Sequence, residues 1–456
     1  MSAAHPAAGA DVVIAGYGPA GASAAIAAHD AGARVVVVDS APRGGGNARY
    51  SGGFLCDFTQ PAAADHLDAL CFGRTDRLVL ETYAAGLHGL GRWLTSLGGA
   101  VVPFDPPPGR FPAPFPSWPR FPGGTAVRYH LVQGAGRPGE SLWHLLDAAV
   151  RARGIEVLFG TEATSLAAGS CGSVTGLCVA PAANAEPAGE PVTLPARGGV
   201  VLATGGFEGS PALTDAYLPL GPVRPVGHPG NTGGGLRMAQ AAGAALWHMY
   251  GFFGWFAFAA PEFASPFAID FCGPSYLVTD ADGRRFADET GYEVHDRLRA
   301  LLTCLPRHPG RPRLPSWAIF DEAGCAGPLS GRLGTPNDYA WSPDTLDPLD
   351  TRRLYAIETW PGLGGTTGGP RHDERARVLG VGGDLIPGLY AAGSVSAIWG
   401  HLTEHGGGLT DAIVFGRCAG AEAAARARSA GAEAAARADS ARAPAAGRAG
   451  AAGTRP

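Results

Sequence analysis

The first forty residues contain two short apolar runs separated by an alanine-rich segment. Residues 11–15 and 34–39 are almost entirely aliphatic, which is typical of strands that are buried on both faces of a parallel sheet. Residues 22–31 lie between them and contain no glycine or proline, so they predict a helix. The pattern therefore predicts a strand–helix–strand unit, the basic element of a doubly wound α/β domain.

The loop between the first strand and the helix has the sequence Gly16-Tyr-Gly-Pro-Ala-Gly21. In a Gly-x-Gly-x-x-Gly turn, Gly16 permits the tight turn, Gly18 lets the backbone approach a pyrophosphate and Gly21 lets the helix pack on the strand. The helix N-terminus attracts phosphates, and Asp39 at the end of the second strand can accept from ribose hydroxyls. Because the motif has its full structural context, it predicts a dinucleotide site.

The same patterning predicts elements further along the chain. Residues 140–153 favour a helix, residues 155–159 a strand, residues 174–202 short antiparallel strands and residues 411–427 a helix. Residues 220–350 are richer in proline and aromatic residues and contain fewer parallel-strand units. We therefore expect an α/β protein with a discontinuous Rossmann-like nucleotide-binding domain and an inserted α+β substrate or capping domain.

The predicted boundaries follow these changes in composition. The nucleotide-binding domain is expected at 8–225 and 354–428, and the inserted domain at 226–353. Residues 429–456 are rich in alanine and arginine and contain the second copy of an 11-residue direct repeat (419–429 and 430–440). Two copies are too few for a solenoid, so we expect a helix that ends in a disordered tail.

Composition excludes several classes of protein. All 35 basic residues are arginine, so lysine-based chemistry, including a pyridoxal Schiff base or a P-loop, is excluded. The net charge of −5 disfavours a nucleic-acid binder. The 70 glycines lie mainly in loops between apolar runs, which suits a backbone that approaches a large ligand closely.

The cysteines and the N-terminal segment indicate a compartment. None of the eight cysteines forms a Cys-x-x-Cys pair, so no metal site is predicted, and we interpret them as reduced thiols of a cytoplasmic protein. No basic segment followed by an apolar one is present at the N-terminus, so no secretion signal is predicted. The aromatic run 251–271 contains Glu262 and two prolines, so we expect an aromatic wall and no membrane span.

Four further segments extend the first motif. They are Gly44–Gly53, Val200–Gly206, Asn231–Gly243 and Ile386–Arg417. In order and spacing, the five segments resemble the fumarate reductase-like FAD flavoproteins, a group that includes succinate dehydrogenase flavoprotein subunits, 3-ketosteroid Δ1-dehydrogenases and tricarballylate dehydrogenases. The resemblance covers roughly residues 10–420, and the motifs are most similar to the tricarballylate dehydrogenase branch.

The resemblance implies FAD as the cofactor. No histidine lies in a Ser-His-Thr-like segment near Asn47, so we expect noncovalent FAD. Two departures from the family pattern are Gly234 and Ser394, which stand where aspartate and glutamate are frequent. The residues that the resemblance assigns to FAD are Gly16, Gly18, Pro19, Ala20, Gly21, Asp39, Ser40, Gly46, Asn47, Ser51, Gly52, Gly53, Ala163, Thr204, Gly205, Gly206, Thr232, Gly233, Gly393, Ser394, Gly408 and Leu409.

The substrate positions depart further from the family. Cys272 aligns with the proton donor of a fumarate reductase, Gly364 and Gly365 with paired histidines, and Glu404 with a carboxylate-binding arginine. Dicarboxylates are best held by paired cations, especially bidentate arginine. These replacements argue against fumarate or succinate as the substrate.

The resemblance and the missing cations together predict α,β-desaturation. In this reaction a base removes the proton next to a carbonyl or similar group, and a hydride passes from the β-carbon to flavin N5. Candidate bases are His401, Glu404 and His405, which precede the flavin-binding glycines, and Tyr276, beside the position of the missing acid.

Alternatives to this reaction remain open from the sequence. The reverse reaction, C=C reduction, uses the same geometry, and amine oxidation is a weaker option. A redox-inactive FAD-binding subunit of a larger complex is a different class of function. We expect a small-molecule substrate and an unidentified electron acceptor, with no nucleic-acid partner.

Overall fold

The structure is a computed structural model. It describes residues 9–58, 63–104, 117–183, 190–260, 266–268, 276–286, 294–302, 313–321 and 352–442. The helices in these segments are α1 (Pro19–Asp30), α2 (Ala63–Cys71), α3 (Arg77–Ser96), α4 (Pro138–Ala152), α5 (Pro211–Tyr217), α6 (Gly234–Ala241) and α7 (Gly407–Arg442). Short 3₁₀ segments cover Gly46–Tyr50, Gly124–Ala126, Ser170–Gly172, Val294–Leu302 and Gly393–Val395.

The strands are short except for three of eight or more residues in the middle of the chain and one of 13 residues near its end. They are β1 (Ala10–Ala15), β2 (Val35–Asp39), β3 (Leu55–Phe58), β4 (Ala100–Phe104), β5 (Val127–Gln133), β6 (Glu156–Phe159), β7 (Thr161–Ala168), β8 (Val174–Pro181), β9 (Val192–Leu202), β10 (Arg224–Pro225), β11 (Leu246–Trp247), β12 (Phe252–Phe258), β13 (Phe267–Ala268), β14 (Tyr276–Thr279), β15 (Ser316–Asp321), β16 (Leu354–Thr366), β17 (Gly369–Pro370), β18 (Arg377–Leu379) and β19 (Leu385–Ala391).

The first sheet contains the predicted strand–helix–strand unit. Its order is β18-β19-β9-β1-β2-β6, and β19, β9, β1, β2 and β6 run parallel. Side chains alternate across β1: Val12 and Ile14 pack in the cluster that contains α1, and Val13 and Ala15 pack in the cluster on the opposite face. Both faces of β1 are therefore buried, which explains its continuous apolar sequence.

The second sheet belongs to the inserted part of the chain. Its order is β13-β12-β16-β15-β14, and β10 also pairs with β16. We predicted that the first domain resumes at residue 354, but the structure places Leu354–Thr366 at the centre of this second sheet. The predicted boundary thus falls at the start of β16, whose strand partners lie in the inserted part of the chain, and strand pairing is a long-range contact that local composition does not report.

A third sheet, β3-β5-β4, is antiparallel and packs near the start of α7. The aromatic run that we interpreted as a wall forms β12, and the residues at 261–265 and 269–275 lie outside the described residues. Among the helices of the described segments, none combines the length and the apolar character needed to cross a bilayer.

Helix α7 is longer than we expected. It continues through the direct repeat to Arg442, so the prediction of a disordered tail is wrong for residues 429–442, and residues 443–456 lie outside the described residues. Alanine has the highest helix propensity, and the repeat contains no proline. The helix therefore extends beyond the part that packs on the domain.

Helices α1 and α7 approach each other closely. A Cβ at Gly420 would lie 2.1 Å from the carbonyl oxygen of Ala24, and a Cβ at Gly416 would lie 2.4 Å from that of Ala20. The two helices therefore need glycine at these positions to pack at their observed distance, and this contact anchors the start of α7 beside the Gly16–Gly21 turn.

This contact generates a stability prediction. Gly420→Ala should lower the free energy of unfolding by about 1–3 kcal/mol, because overpacked sites must shift backbone or side chains. Gly431→Ala in the same helix is the control: nothing lies within 4 Å of its Cβ position, so alanine should stabilise by up to ~1 kcal/mol through helix propensity. Thermal unfolding followed by circular dichroism measures both. Equal melting temperatures for the two variants would contradict the packing argument.

Candidate active site

A cavity of about 2050 Å³, including its opening to solvent, lies at the carboxyl ends of the parallel strands of the first sheet and extends to the second sheet. This edge is where ligands bind in open α/β sheets. Most residues that the family resemblance assigns to FAD line this one cavity. They are Gly16, Gly18, Pro19, Ala20, Asp39, Ser40, Gly46, Asn47, Ser51, Gly52, Gly53, Ala163, Thr204, Gly205, Thr232, Gly393, Ser394, Gly408 and Leu409.

Three residues assigned to FAD do not line the cavity, and each has a packing role. A Cβ at Gly21 would lie 1.9 Å from the carbonyl oxygen of Gly16, so this glycine lets α1 pack on the turn. A Cβ at Gly206 would lie 2.3 Å from Thr366 Oγ1. Gly233 has a φ of +80° just before α6. The described lining does not include these glycines, and for Gly206 and Gly233 the cofactor contact that the resemblance implies stays a prediction.

The turn after β1 is held tightly against the end of β9. Gly16 has a φ of +100°, and a Cβ there would lie 2.3 Å from the carbonyl oxygen of Ala203. Gly18 differs, because its Cβ position has no atom closer than 3.9 Å and faces the cavity. The N–H groups at the start of α1 therefore open onto free space, as a pyrophosphate site requires.

Asp39 is oriented by two backbone N–H groups. Tyr17 donates to its Oδ2 at 2.7 Å and Ala41 donates to its Oδ1 at 2.8 Å. Burial raises the pKa of Asp39, and these two hydrogen bonds oppose the rise. A carboxylate has about four acceptor sites, so Asp39 keeps acceptor capacity at the cavity wall for ribose hydroxyls.

The wall also contains polar groups that suit a dinucleotide. Thr204 Oγ1 is buried without a hydrogen-bond partner among the described residues, and it lies in the lining. The Cβ positions of Gly234 and Gly408, at the first turns of α6 and α7, have no atom within 4 Å. A buried orphan hydroxyl and open helix N-termini fit FAD along this cavity.

The second sheet contributes an aromatic wall. Phe253 and Trp255 of β12 line the cavity beside Gly364 of β16. A Cβ at Gly364 would lie 2.6 Å from the Trp255 ring, and one at Gly365 would lie 2.5 Å from the Phe253 ring. These two glycines thus make room for the rings. Cys272 lies outside the described residues.

The charged groups of the described lining are acidic. Asp39, Glu162 and Glu404 line the cavity with His228 and His405, and the described lining contains no arginine. The structure therefore shows, in the described part of the wall, no pair of cations that would hold a dicarboxylate.

Glu404 is buried in a network that the sequence did not reveal. Its Oε1 accepts from Tyr129 Oη at 2.5 Å and from the His405 backbone N–H at 3.3 Å, and its Oε2 lies 3.0 Å from His66 Nε2. His66 Nδ1 lies 2.9 Å from the carbonyl oxygen of Pro122, so Nδ1 carries a proton. One further proton therefore lies between His66 Nε2 and Glu404 Oε2.

Tyr129 acts as a donor in this network. Burial and the neighbouring Glu404 carboxylate raise the pKa of Tyr129 well above its usual value, so the hydroxyl keeps its proton. His66 and Glu404 are 338 positions apart, and no local pattern links them. Through these contacts with His66, Tyr129 and the His405 backbone, Glu404 holds the loop before α7 in place.

His405 lies in the cavity wall next to this network. Its ring packs edge-on against Phe54 at 4.4 Å and against Tyr129 at 5.9 Å between ring centroids. Of the four residues that we proposed as bases, His405 and Glu404 line the cavity.

The other two candidate bases lie elsewhere. His401 stacks on Phe72 at 4.4 Å and is absent from the lining; burial, with Arg299 and Arg74 nearby, lowers its pKa to about 4. Tyr276 of β14 is buried in the apolar cluster of the second sheet. Both side chains therefore lie outside the described lining, because residue spacing in an irregular loop does not set side-chain direction and because alternation along β14 turns Tyr276 into the core.

The family model described as an FAD binding domain matches residues 11–410. The chain belongs to this FAD-binding family. The predicted α/β fold and the FAD cofactor are confirmed, and the protein is an FAD-dependent oxidoreductase of the fumarate reductase and 3-ketosteroid dehydrogenase group.

Its relatives include both branches of the group. The chain is 26% identical over 464 residues to a fumarate reductase (cytochrome) of Shewanella frigidimarina, with 91% of this chain and 77% of that protein covered. It is 28% identical over 360 residues to a 3-oxosteroid 1-dehydrogenase of Mycobacterium tuberculosis, with 63% of each covered. The fold matches a 3-ketosteroid Δ1-dehydrogenase from Sterolibacterium denitrificans with a TM-score of 0.77 at 20% identity, over 91% of this chain and 99% of that one.

Substitutions at two glycines of the first turn should have different effects, one on FAD binding and the other on folding stability. Gly18→Val should abolish FAD binding, because the valine side chain would occupy the space open to the pyrophosphate, while the apoprotein keeps its melting temperature. Gly21→Ala should instead destabilise the apoprotein, because its Cβ would overlap the Gly16 carbonyl oxygen. Flavin fluorescence quenching on titration of the apoprotein and thermal unfolding measure the two effects. A Gly18→Val protein that purifies with bound FAD would refute the assignment of this turn.

Proposed function

We propose that this protein is a dehydrogenase that introduces a C=C bond next to a carbonyl group in a neutral, largely apolar organic substrate. The observation that carries the proposal is the composition of the described cavity wall. Phe253 and Trp255 occupy the side where carboxylate-binding residues are absent, and the described lining contains no arginine. Aromatic rings favour flat apolar molecules, whereas a dicarboxylate would be desolvated there without paired cations.

The relatives support the same substrate class. The name 3-oxosteroid 1-dehydrogenase describes an enzyme that acts on a ketone, and the matching Sterolibacterium denitrificans structure was determined with 1,4-androstadiene-3,17-dione. This dione is a neutral, rigid and apolar molecule. The name fumarate reductase, by contrast, describes an enzyme that acts on an acid, and the family resemblance aligns its carboxylate-binding positions with Gly364, Gly365 and Glu404 of this chain.

Bound FAD supplies the acceptor for the hydride. The chain supplies the base, and His405 is the best placed of the residues we considered because its ring lies in the wall and is packed by Phe54 and Tyr129. An imidazole ring can accept and release a proton near neutral pH, which suits removal of the proton next to a carbonyl. Glu404 orients His405 through the backbone N–H bond and its anchor to His66 and Tyr129.

The location that we propose is the cytoplasm. Cys56 and Cys71 are buried thiols, which suits a reducing compartment. We propose a separate electron acceptor that reoxidises the flavin after each turnover.

The substrate class is tested by anaerobic flavin reduction. Cyclic ketones, including 3-oxosteroids, should bleach the oxidised flavin band of the purified protein, whereas succinate should leave it unchanged. With reduced dye as electron donor, fumarate turnover should be at least about 100-fold slower than reduction of a matching enone, since each missing charge-assisted bond costs ~1.5–3 kcal/mol. Rapid fumarate reduction, or a flavin that no ketone or enone affects, would overturn the proposal.

The base is tested with two histidines of the same loop. His405→Ala should lower turnover by ~10²–10⁴, the usual contribution of a positioned acid or base, and should leave FAD bound. His401→Ala is the matched control, because His401 stacks on Phe72 outside the described lining; its turnover should stay within about tenfold of the wild type. Equal losses in both variants would argue that the loop only packs, and no loss in His405→Ala would place the base elsewhere.

A further inference from the structure

A second buried carboxylate lies behind the cavity wall. Glu208 is 1% exposed and does not line the cavity. Its Oε1 accepts from Asn231 Nδ2 at 2.6 Å and from Asn47 Nδ2 at 3.1 Å, and its Oε2 accepts from Thr366 Oγ1 at 3.3 Å. These donors are neutral, and burial raises the pKa of Glu208 against their opposing effect. A buried carboxylate with only neutral partners is costly, which calls for a functional reason.

The donors come from three separate segments. Asn47 belongs to the glycine-rich loop after β2, Asn231 to the loop before α6, and Thr366 to the end of β16 in the second sheet. Thr366 Oγ1 also accepts from the backbone N–H of Phe207 at 2.9 Å, so its own proton is available for Glu208. One carboxylate therefore ties two loops of the cofactor cavity to the central strand of the inserted domain.

The hydrogen bonds of Asn47 connect Glu208 to the cavity wall. Its Nδ2 donates to Glu208 and to the Gly364 carbonyl oxygen at 3.0 Å, and its Oδ1 accepts from the His228 backbone N–H at 2.6 Å. Both amide protons are thus used within the protein. The neighbours that Asn47 fixes, Gly364 and His228, line the cavity with it. Asn47 therefore connects wall segments to each other, and its amide has no proton left to donate to FAD.

The two glycines next to Glu208 leave room for the Glu208 carboxylate and its hydrogen-bond donors. A Cβ at Gly206 would lie 2.5 Å from Glu208 Oε2, and a Cβ at Gly205 would lie 2.3 Å from Asn231 Oδ1. A larger residue at either position would displace the carboxylate or its donor. The strand-end segment that the family resemblance assigned to FAD thus also accommodates this hydrogen-bonded group.

We propose that Glu208 is a positioning residue for FAD: its carboxylate oxygen holds Asn47 and Asn231 together and so fixes the facing walls of the cofactor cavity contributed by the two domains. When the cavity walls are already ordered, less conformational entropy is lost on binding FAD. Removal of the Glu208 carboxylate should therefore weaken FAD binding. The proposal concerns the cofactor only and stands whichever substrate the enzyme uses.

The test compares two replacements of one side chain by titrating each apoprotein with FAD and following flavin fluorescence. Glu208→Leu keeps the size but removes the acceptor, and the dissociation constant for FAD should rise about 10- to 100-fold, since hydrogen bonds to charged groups are among the stronger ones. Glu208→Gln keeps an oxygen at Oε1 for both asparagines and should stay within about fivefold of the wild type. Glu358→Gln, an exposed carboxylate on β16 that accepts from Trp360, is the control and should bind FAD normally.

Two further variants keep the test decisive. Thr366→Val removes one donor outside the lining and should weaken FAD binding about three- to tenfold; it serves if Glu208→Leu does not fold. Asn47→Ala combined with Glu208→Leu should bind FAD no more weakly than the worse single variant, because both act through one network. The proposal is overturned if Glu208→Leu, or Thr366→Val in its place, lowers the apoprotein melting temperature while the FAD dissociation constant stays within twofold, or if the two losses in the double variant add.

Discussion

The structure depends on the close contact between the Gly16–Gly21 turn and the end of β9. Gly16 lies against Ala203 and Gly21 lies against Gly16, at distances that leave no room for a Cβ. This contact sets where α1 begins, and α7 packs closely against α1 at Gly420. Because both helices start at the same edge of the first sheet, their N-termini open onto one cavity. The cofactor site is thus a consequence of backbone packing, and few side chains are needed to form it.

The inserted part of the chain closes this cavity through polar contacts. β16 runs from the second sheet to the cavity wall, where Gly364 lies beside Asn47 and Thr366 lies beside Glu208. A hydrogen-bonded carboxylate fixes the direction and the distance of the groups that donate to it, which apolar packing alone does not do. The same device recurs at the start of α7, where Glu404 joins His66 and Tyr129 and holds the loop that carries His405. In the described residues, two buried glutamates are thus hydrogen-bonded to segments of the cavity wall.

The aromatic wall shows how a pair of strands presents apolar rings to the cavity. Gly364 and Gly365 carry no side chain, and the space beside them is filled by the rings of Trp255 and Phe253. This arrangement leaves the strands that carry it intact, since β12 and β16 keep a continuous antiparallel register apart from one irregularity at Phe253. Selectivity can therefore change while the FAD cradle stays the same.

The sequence by itself determined the first sheet's central unit and the Gly16–Gly21 turn, because these depend on local periodicity and on glycines whose spacing reports backbone geometry. The family resemblance implied the other residues of the cofactor wall, most of which line the cavity. It also indicated that the carboxylate-binding groups at 364 and 365 are missing. Only the tertiary structure decided that β16 joins the second sheet, that Tyr276 and His401 lie outside the described lining, and that Glu404 is bound by His66. Those facts rest on pairings between residues far apart in the chain, and neither strand partnership nor side-chain direction in a loop is encoded by any local pattern.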